Sequence, residues 1–197
     1  MSTRNPGILT KRCFALSPAP GRLIRSLFIR RRAAPNKPHL ARLQAGQTTI
    51  RAAIGQRGVS CLKREGDWAT PVGHYSLNAP LFRADRLPRI RAFSTSLPSK
   101  PSMGWCDDRA SFLYNMPVLA GSSCRHERLW RDDGVYDVLL STSHNQRPRI
   151  RGAGSAIFLH LAKADYAPTQ GCVAVSLQDL RRLLPRLDRK VRLVITR

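Results

Sequence analysis

Three things are scarce or missing in this 197-residue chain, and each absence excludes something. No stretch approaches ~18 consecutive apolar residues, which excludes a helical membrane span. The segment Leu23 to Ile29 is broken by Arg25 and Ser26, so it lacks the apolar core of ~7–15 residues that a secretory leader needs. The five cysteines, Cys13, Cys61, Cys106, Cys124 and Cys172, are an odd set, so they cannot all be paired. Cys106 and Cys124 read as small buried apolar residues rather than a bridge. Cys124 with His126 has no second half-site at zinc spacing, so no metal and no cofactor is expected.

Acidic residues are also missing from one part of the chain. Residues 1–64 hold 14 Lys and Arg and no Asp or Glu, whereas residues 65–197 hold 20 basic and 12 acidic residues, for a net charge of +22 overall. Arg30-Arg31-Arg32, with Pro18, Pro20, Pro35 and Pro38, makes residues 1–40 read as a basic, disordered arm, leaving 41–197 as the folded domain. Such an arm suits phosphates, anionic lipid or an anionic wall polymer without any specific nucleic-acid recognition.

Over the whole chain, 42% apolar residues suffice for a core. Period-2 patterns bounded by Gly, Pro and Asp predict strands over Thr48–Ile54, His74–Leu77, Tyr136–Ser141, Ser155–Leu161, Cys172–Val175 and Lys190–Thr196. One helix is expected, Leu177–Leu184, opened by Ser176 with Asp179 three residues on and closed by Pro185. The fold class is therefore mostly β.

The chemistry concentrates at His160 and Cys172. An apolar strand ends at His160, and Gly171-Cys172 opens the next, so paired strands would bring imidazole and thiol together. A neighbouring imidazole can take the thiol proton and stabilise the thiolate. Gly171 lets a carbonyl approach the backbone, and the amides of Gly171 and Cys172 are candidate oxyanion donors.

Three segments carry a family resemblance. Arg64-Glu65-Gly66-Asp67-Trp68-Ala69-Thr70-Pro71-Val72-Gly73-His74-Tyr75, Ala156-Ile157-Phe158-Leu159-His160 and Thr169-Gln170-Gly171-Cys172-Val173 resemble, in order and content, the motifs of the L,D-transpeptidases with a YkuD-type catalytic domain. Segments around Trp105, Tyr114, His126, Tyr136 and His144 are similar to a proteobacterial branch of that family.

The resemblance implies a β-sandwich or barrel-type sheet with one or two short helices. It implies cysteine acyl transfer from a peptidoglycan tetrapeptide stem to an amine, in a 3→3 or 1→3 cross-link, or to water in a carboxypeptidase or hydrolase. Cys172 would be the nucleophile and His160 the base, with Thr169, Gln170 and Gly171 in the nucleophile loop. A carbapenem adduct at the thiol, a monomeric state and a periplasmic or envelope location are implied in the same way. A basic binding module with a degenerate core is the alternative. The chain departs from the family pattern at Leu161, Gln170 and Ala174, the last replacing an arginine. His144, Asn145 and Arg149 are the expected substitutes for it in the donor groove, with His126 and Tyr114 beside them.

Overall fold

Strands with one buried face alternate apolar and polar side chains, because such a strand needs a period of two, while the strands buried on both faces are near-continuous apolar runs. The computed structural model describes residues 23–32, 34 and 36–197. In chain order the strands are β1 (Ile24–Arg31), β2 (Leu40–Ala45), β3 (Thr48–Ala53), β4 (Val59–Ser60), β5 (Thr70–Pro71), β6 (Gly73–Ser76), β7 (Leu81–Phe82) and β8 (Leu97–Pro98). There follow β9 (Met103–Cys106), β10 (Pro117–Leu119), β11 (His126–Arg128), β12 (Val138–Ser141), β13 (Phe158–Leu161), β14 (Val173–Val175), helix α1 (Leu177–Leu183) and β15 (Leu187–Ile195).

Ten strands form one sheet in the order β6-β15-β1-β2-β3-β14-β13-β12-β7-β8. It curls back on itself: the Ser143 amide donates to the Ser76 carbonyl at 3.0 Å and the Asn78 amide to the Ser141 carbonyl at 2.9 Å. Edge strand β6 therefore meets the chain beside β12, and the curl is barrel-like, which protects an otherwise open edge. Inside lies a core that includes Leu27, Ile29, Leu43, Leu140, Leu159 and Leu193, all fully buried. A smaller sheet, β10-β9-β11, covers a second apolar cluster containing Trp105, Tyr136, Phe158 and Cys172.

The expected strands match β3, β6, β12, β13, β14 and β15 within a few residues. The helix is capped as expected: the Ser176 hydroxyl accepts the Asp179 amide at 3.1 Å and donates to the Asp179 carboxylate at 2.6 Å. Pro185 sits in the 3-10 turn Leu184–Arg186 that ends it. Cys106 and Cys124 are buried and unbridged.

The arm boundary at residue 40 needs correction. Residues 24–31 form β1, a central strand pairing parallel with β15 and antiparallel with β2. Arg25, Ser26 and Arg30 occupy outward positions while Leu27 and Ile29 enter the core, so the polar residues that spoil a leader are those a half-buried strand requires. Residues 1–22 of the expected arm lie outside the described residues. Among the described residues no helix is long and apolar enough to cross a membrane.

Candidate active site

Strand alternation aims the reactive side chains at one face. On β13, Leu159 and Leu161 enter the main core, leaving Phe158 and His160 on the other side; on β14, Val173 and Val175 enter the core, leaving Ala174 and, just before the strand, Cys172. The two strands are parallel, with Leu159 opposite Val173 and His160 opposite Ala174. His160, Cys172 and Ala174 thus reach a common cavity of about 200 Å³.

Backbone groups fix the thiol. The Phe158 amide donates to Cys172 Sγ at 3.3 Å, and the thiol donates to the Ala156 carbonyl at 3.2 Å. Ala156 has a φ of +50°, a conformation L-residues avoid, and its amide is held by Asn115 Oδ1 at 3.2 Å. Asn115 Oδ1 also accepts the Trp105 indole N–H at 2.9 Å, and its amide nitrogen donates to the carbonyls of His144 and Asn145. This buried asparagine therefore positions the carbonyl that the thiol faces.

His160 is held in one tautomer. Its Nδ1 lies 2.9 Å from the Leu161 carbonyl, and since a carbonyl only accepts, Nδ1 carries the proton and Nε2 keeps a lone pair. Tyr136 packs edge-on against the ring at 5.2 Å. Burial pulls the imidazole pKa down to about 4, helped by the Arg131 charge and opposed by the Leu161 carbonyl. Burial pushes the thiol up to about 12, with Glu127 adding and the Phe158 amide and Lys63 opposing. At neutral pH the resting pair is thus thiol and neutral imidazole, and the thiol's hydrogen bond runs to Ala156. A preformed thiolate–imidazolium pair is absent from this resting arrangement.

The nucleophile turn is tied by Thr169, whose hydroxyl donates to the Cys172 carbonyl at 2.7 Å and accepts the Gly171 amide at 3.1 Å. Of the two amides expected as oxyanion donors, that of Gly171 is committed to Thr169, and the Cys172 amide is the remaining member. Gly171 has a φ of +137°, and a Cβ there would stand 2.9 Å from the Ala69 carbonyl. A side chain at 171 is excluded by both. Gln170 is exposed at the rim.

The Thr70-Pro71 segment acts as an anchor. Thr70 is fully buried and its hydroxyl accepts the Gly55 amide at 2.8 Å. Gly55 is required there because a Cβ would lie 2.5 Å from the Trp68 carbonyl. The anchor holds the preceding loop against the cavity, where Lys63, Glu65 and Trp68 line it. Glu65 accepts hydrogen bonds from the hydroxyls of Tyr114 at 2.5 Å and Ser155 at 2.7 Å.

Arg131 also lines the cavity. It grips Asp133 through two contacts of 3.0 and 2.6 Å, lies 3.9 Å from Glu127, and its guanidinium sits 5.2 Å from the Tyr136 ring centre. The Tyr136 hydroxyl donates to Glu127 at 2.5 Å. Burial raises the Glu127 pKa, with Tyr136 and Arg131 acting against it.

The five residues expected in the donor groove do not line this cavity. His144 Nε2 meets the Ala153 carbonyl at 3.1 Å, and Asn145 staples its own loop through Ile150 and Gly154. Arg149 is exposed on a separate shallow surface with Phe112 and Arg147. His126 Nδ1 bonds the Cys124 carbonyl at 2.9 Å, and Tyr114 stands behind Glu65. Of the other charged and aromatic lining residues, Glu65, Glu127 and Tyr136 lie within the segments that carry the resemblance but were not expected as site residues, and Lys63 and Arg131 lie outside every segment. Lys63 directly precedes the Arg64–Tyr75 segment and is findable from it; Arg131 has no local signal.

A family model described as YkuD, L,D-transpeptidase catalytic domain, matches residues 34–195, and the chain belongs to that family. Neither the curated proteins nor the solved structures yield a match.

Proposed function

We propose that this L,D-transpeptidase-family protein is a cysteine acyltransferase acting on peptidoglycan stem peptides in the cell envelope, with Cys172 as nucleophile and His160 as base. The observation carrying the reading is the shared face of β13 and β14, which presents a backbone-held thiol and a single-tautomer imidazole to one cavity.

The chemistry follows from those groups. As substrate displaces the thiol from the Ala156 carbonyl, the S–H proton passes to His160 Nε2 and the sulfur attacks the carbonyl carbon of the third stem residue, a diamino acid. The Cys172 amide faces the developing oxyanion. The C–N bond to the terminal D-alanine breaks, and His160 returns the proton to that leaving nitrogen. An acceptor amine then attacks the thioester, gives its proton to Nε2 and releases the thiolate, which is reprotonated. A side-chain amine of another stem gives a 3→3 link, the amino end of a first stem residue a 1→3 link, and water a carboxypeptidase.

The test is intact-mass analysis of products from purified disaccharide-tetrapeptide. Loss of D-alanine with dimer formation supports transpeptidation, while loss of D-alanine alone identifies water as the acceptor. An unchanged substrate, with no thioester and no carbapenem adduct on Cys172, would overturn the proposal.

A further inference from the structure

Lys63 occupies a slot that two glycines leave open. A Cβ on Gly154 would stand 2.7 and 2.8 Å from Lys63 Cγ and Cε, and a Cβ on Gly171 would stand 3.3 Å from Nζ. Both glycines have positive φ, +91° and +137°, so neither site readily accepts a larger residue. The lysine stem runs over Gly154 and its ammonium ends beside the turn that carries Cys172. The side chain is only 7% exposed.

A buried ammonium needs a fixed partner, and Lys63 has one. It ion-pairs with Asp67, which is fixed by its own backbone: Asp67 Oδ2 accepts the Arg64 amide at 2.9 Å and Oδ1 the Ala69 amide at 3.0 Å. Burial works against the Asp67 charge, but these amides and Lys63 together hold its pKa below the usual value. The pair sits immediately before Thr70, whose buried hydroxyl pins the loop to the barrel. The ammonium is therefore positioned by the fold rather than by its flexible stem.

From this arrangement we infer that Lys63 is a positioning residue for the nucleophile: it supplies the fixed positive charge that makes the Cys172 thiolate attainable in a buried site. The inference deepens the acyl-transfer reading and rests on it for its biological purpose, but the thiol's own reactivity can be read without substrate. The groups bearing on the sulfur are Glu127, which with burial disfavours its ionisation, the Phe158 amide and Lys63, which favour it, and His160 on the neighbouring strand. Lys63 is the cation in this set that favours the thiolate. The Arg131 charge bears on the His160 imidazole instead.

The experiment is the rate of iodoacetamide alkylation at Cys172, read by peptide mass spectrometry because Cys61 is exposed and will also react. At a fixed pH of about 8 the rate follows the thiolate fraction. Lys63→Met, which keeps the stem and removes the charge, is expected to slow alkylation about tenfold, the equivalent of one pH unit for a nearby opposite charge. Lys63→Arg is expected to retain much of the wild-type rate. Should Lys63→Met lose its cooperative thermal transition, Lys63→Gln is measured instead. An unchanged alkylation rate in either folded neutral variant overturns the inference. Slower alkylation in a protein that does not act on tetrapeptide upholds Lys63 and removes the proposed substrate instead. Where turnover is present, kcat is expected to fall with KM little changed, since the charge acts on the thiol.

Discussion

Ala174 is the parallel-ladder partner of His160, so whatever side chain stands at 174 lies beside the cavity-facing imidazole. With only a methyl group there, the cavity wall next to His160 is open to a guanidinium from elsewhere. Arg131 reaches the same cavity from the segment between β11 and β12, and its charge acts on the imidazole. Arg131 is therefore expected to supply the cationic contact that the expected Arg149 does not. Arg131→Gln should lower kcat/KM for tetrapeptide by about tenfold or more, within the range for a charge-assisted hydrogen bond. Arg149→Ala should change it little. Steady-state kinetics of the two variants side by side decide the matter, and the reverse ranking would place the donor groove on the Arg147–Arg151 surface.

Cys172→Ala should abolish acyl transfer and carbapenem addition while keeping the fold. The thiol is small, and its loss from the Trp105–Phe158 cluster removes one buried group without opening a large void. Intact-mass measurement with a carbapenem, together with a thermal melt, checks both halves. Activity persisting in this variant would remove the nucleophile assignment.

His160→Gln should cut the transfer rate by roughly 10²–10⁴-fold, the usual contribution of a positioned base. It should also change the acid response of stability. His160 titrates near 6.5 when exposed and at about 4 in the fold, so on acidification the unfolded chain takes up its proton first. The stability this group contributes is complete above pH 6.5 and is lost as pH falls through 4. The amount is on the order of 3 kcal/mol, since each tenfold weakening of proton binding corresponds to about 1.36 kcal/mol. Thermal melts between these pH values should therefore show a shallower decline in His160→Gln than in the wild type.

Cys172 gives the opposite sign at the alkaline end. Its folded pKa of about 12 exceeds the ordinary 9.0, so its contribution is complete below pH 9 and is lost as pH rises through 12. Cys172→Ala should flatten that alkaline decline, as seen in melts across the same range.

Truncation tests the corrected boundary. A chain starting at Leu23 keeps every described strand and is expected to melt cooperatively. One starting at Ala41 loses β1, the strand between β15 and β2. Removing it exposes two sheet edges and deletes fully buried Leu27 and Ile29, each about 1.5–3 kcal/mol of burial. The shorter chain should lose its cooperative transition in calorimetry.

The sequence by itself determined the local parts. Short apolar runs marked β13 and β14 and set His160 and Cys172 at the end of one and the start of the next, because such a run is a property of the segment alone; the parallel pairing then put both side chains at one cavity. The Ser176–Asp179 cap and the glycine at 171 were legible for the same reason: each rule spans at most a few residues. Tertiary structure decided what depends on long-range pairing. β1 was hidden because its outward arginines and serine read as polar chain until β15, 163 residues away at the Ile24–Leu187 pair, covers one edge. Arg131 and Lys63 became cavity residues only when the fold brought their loops to β13 and β14. The pKa values of His160 and Cys172 come from burial, a property of the assembled core that neither residue's neighbours in the chain encode.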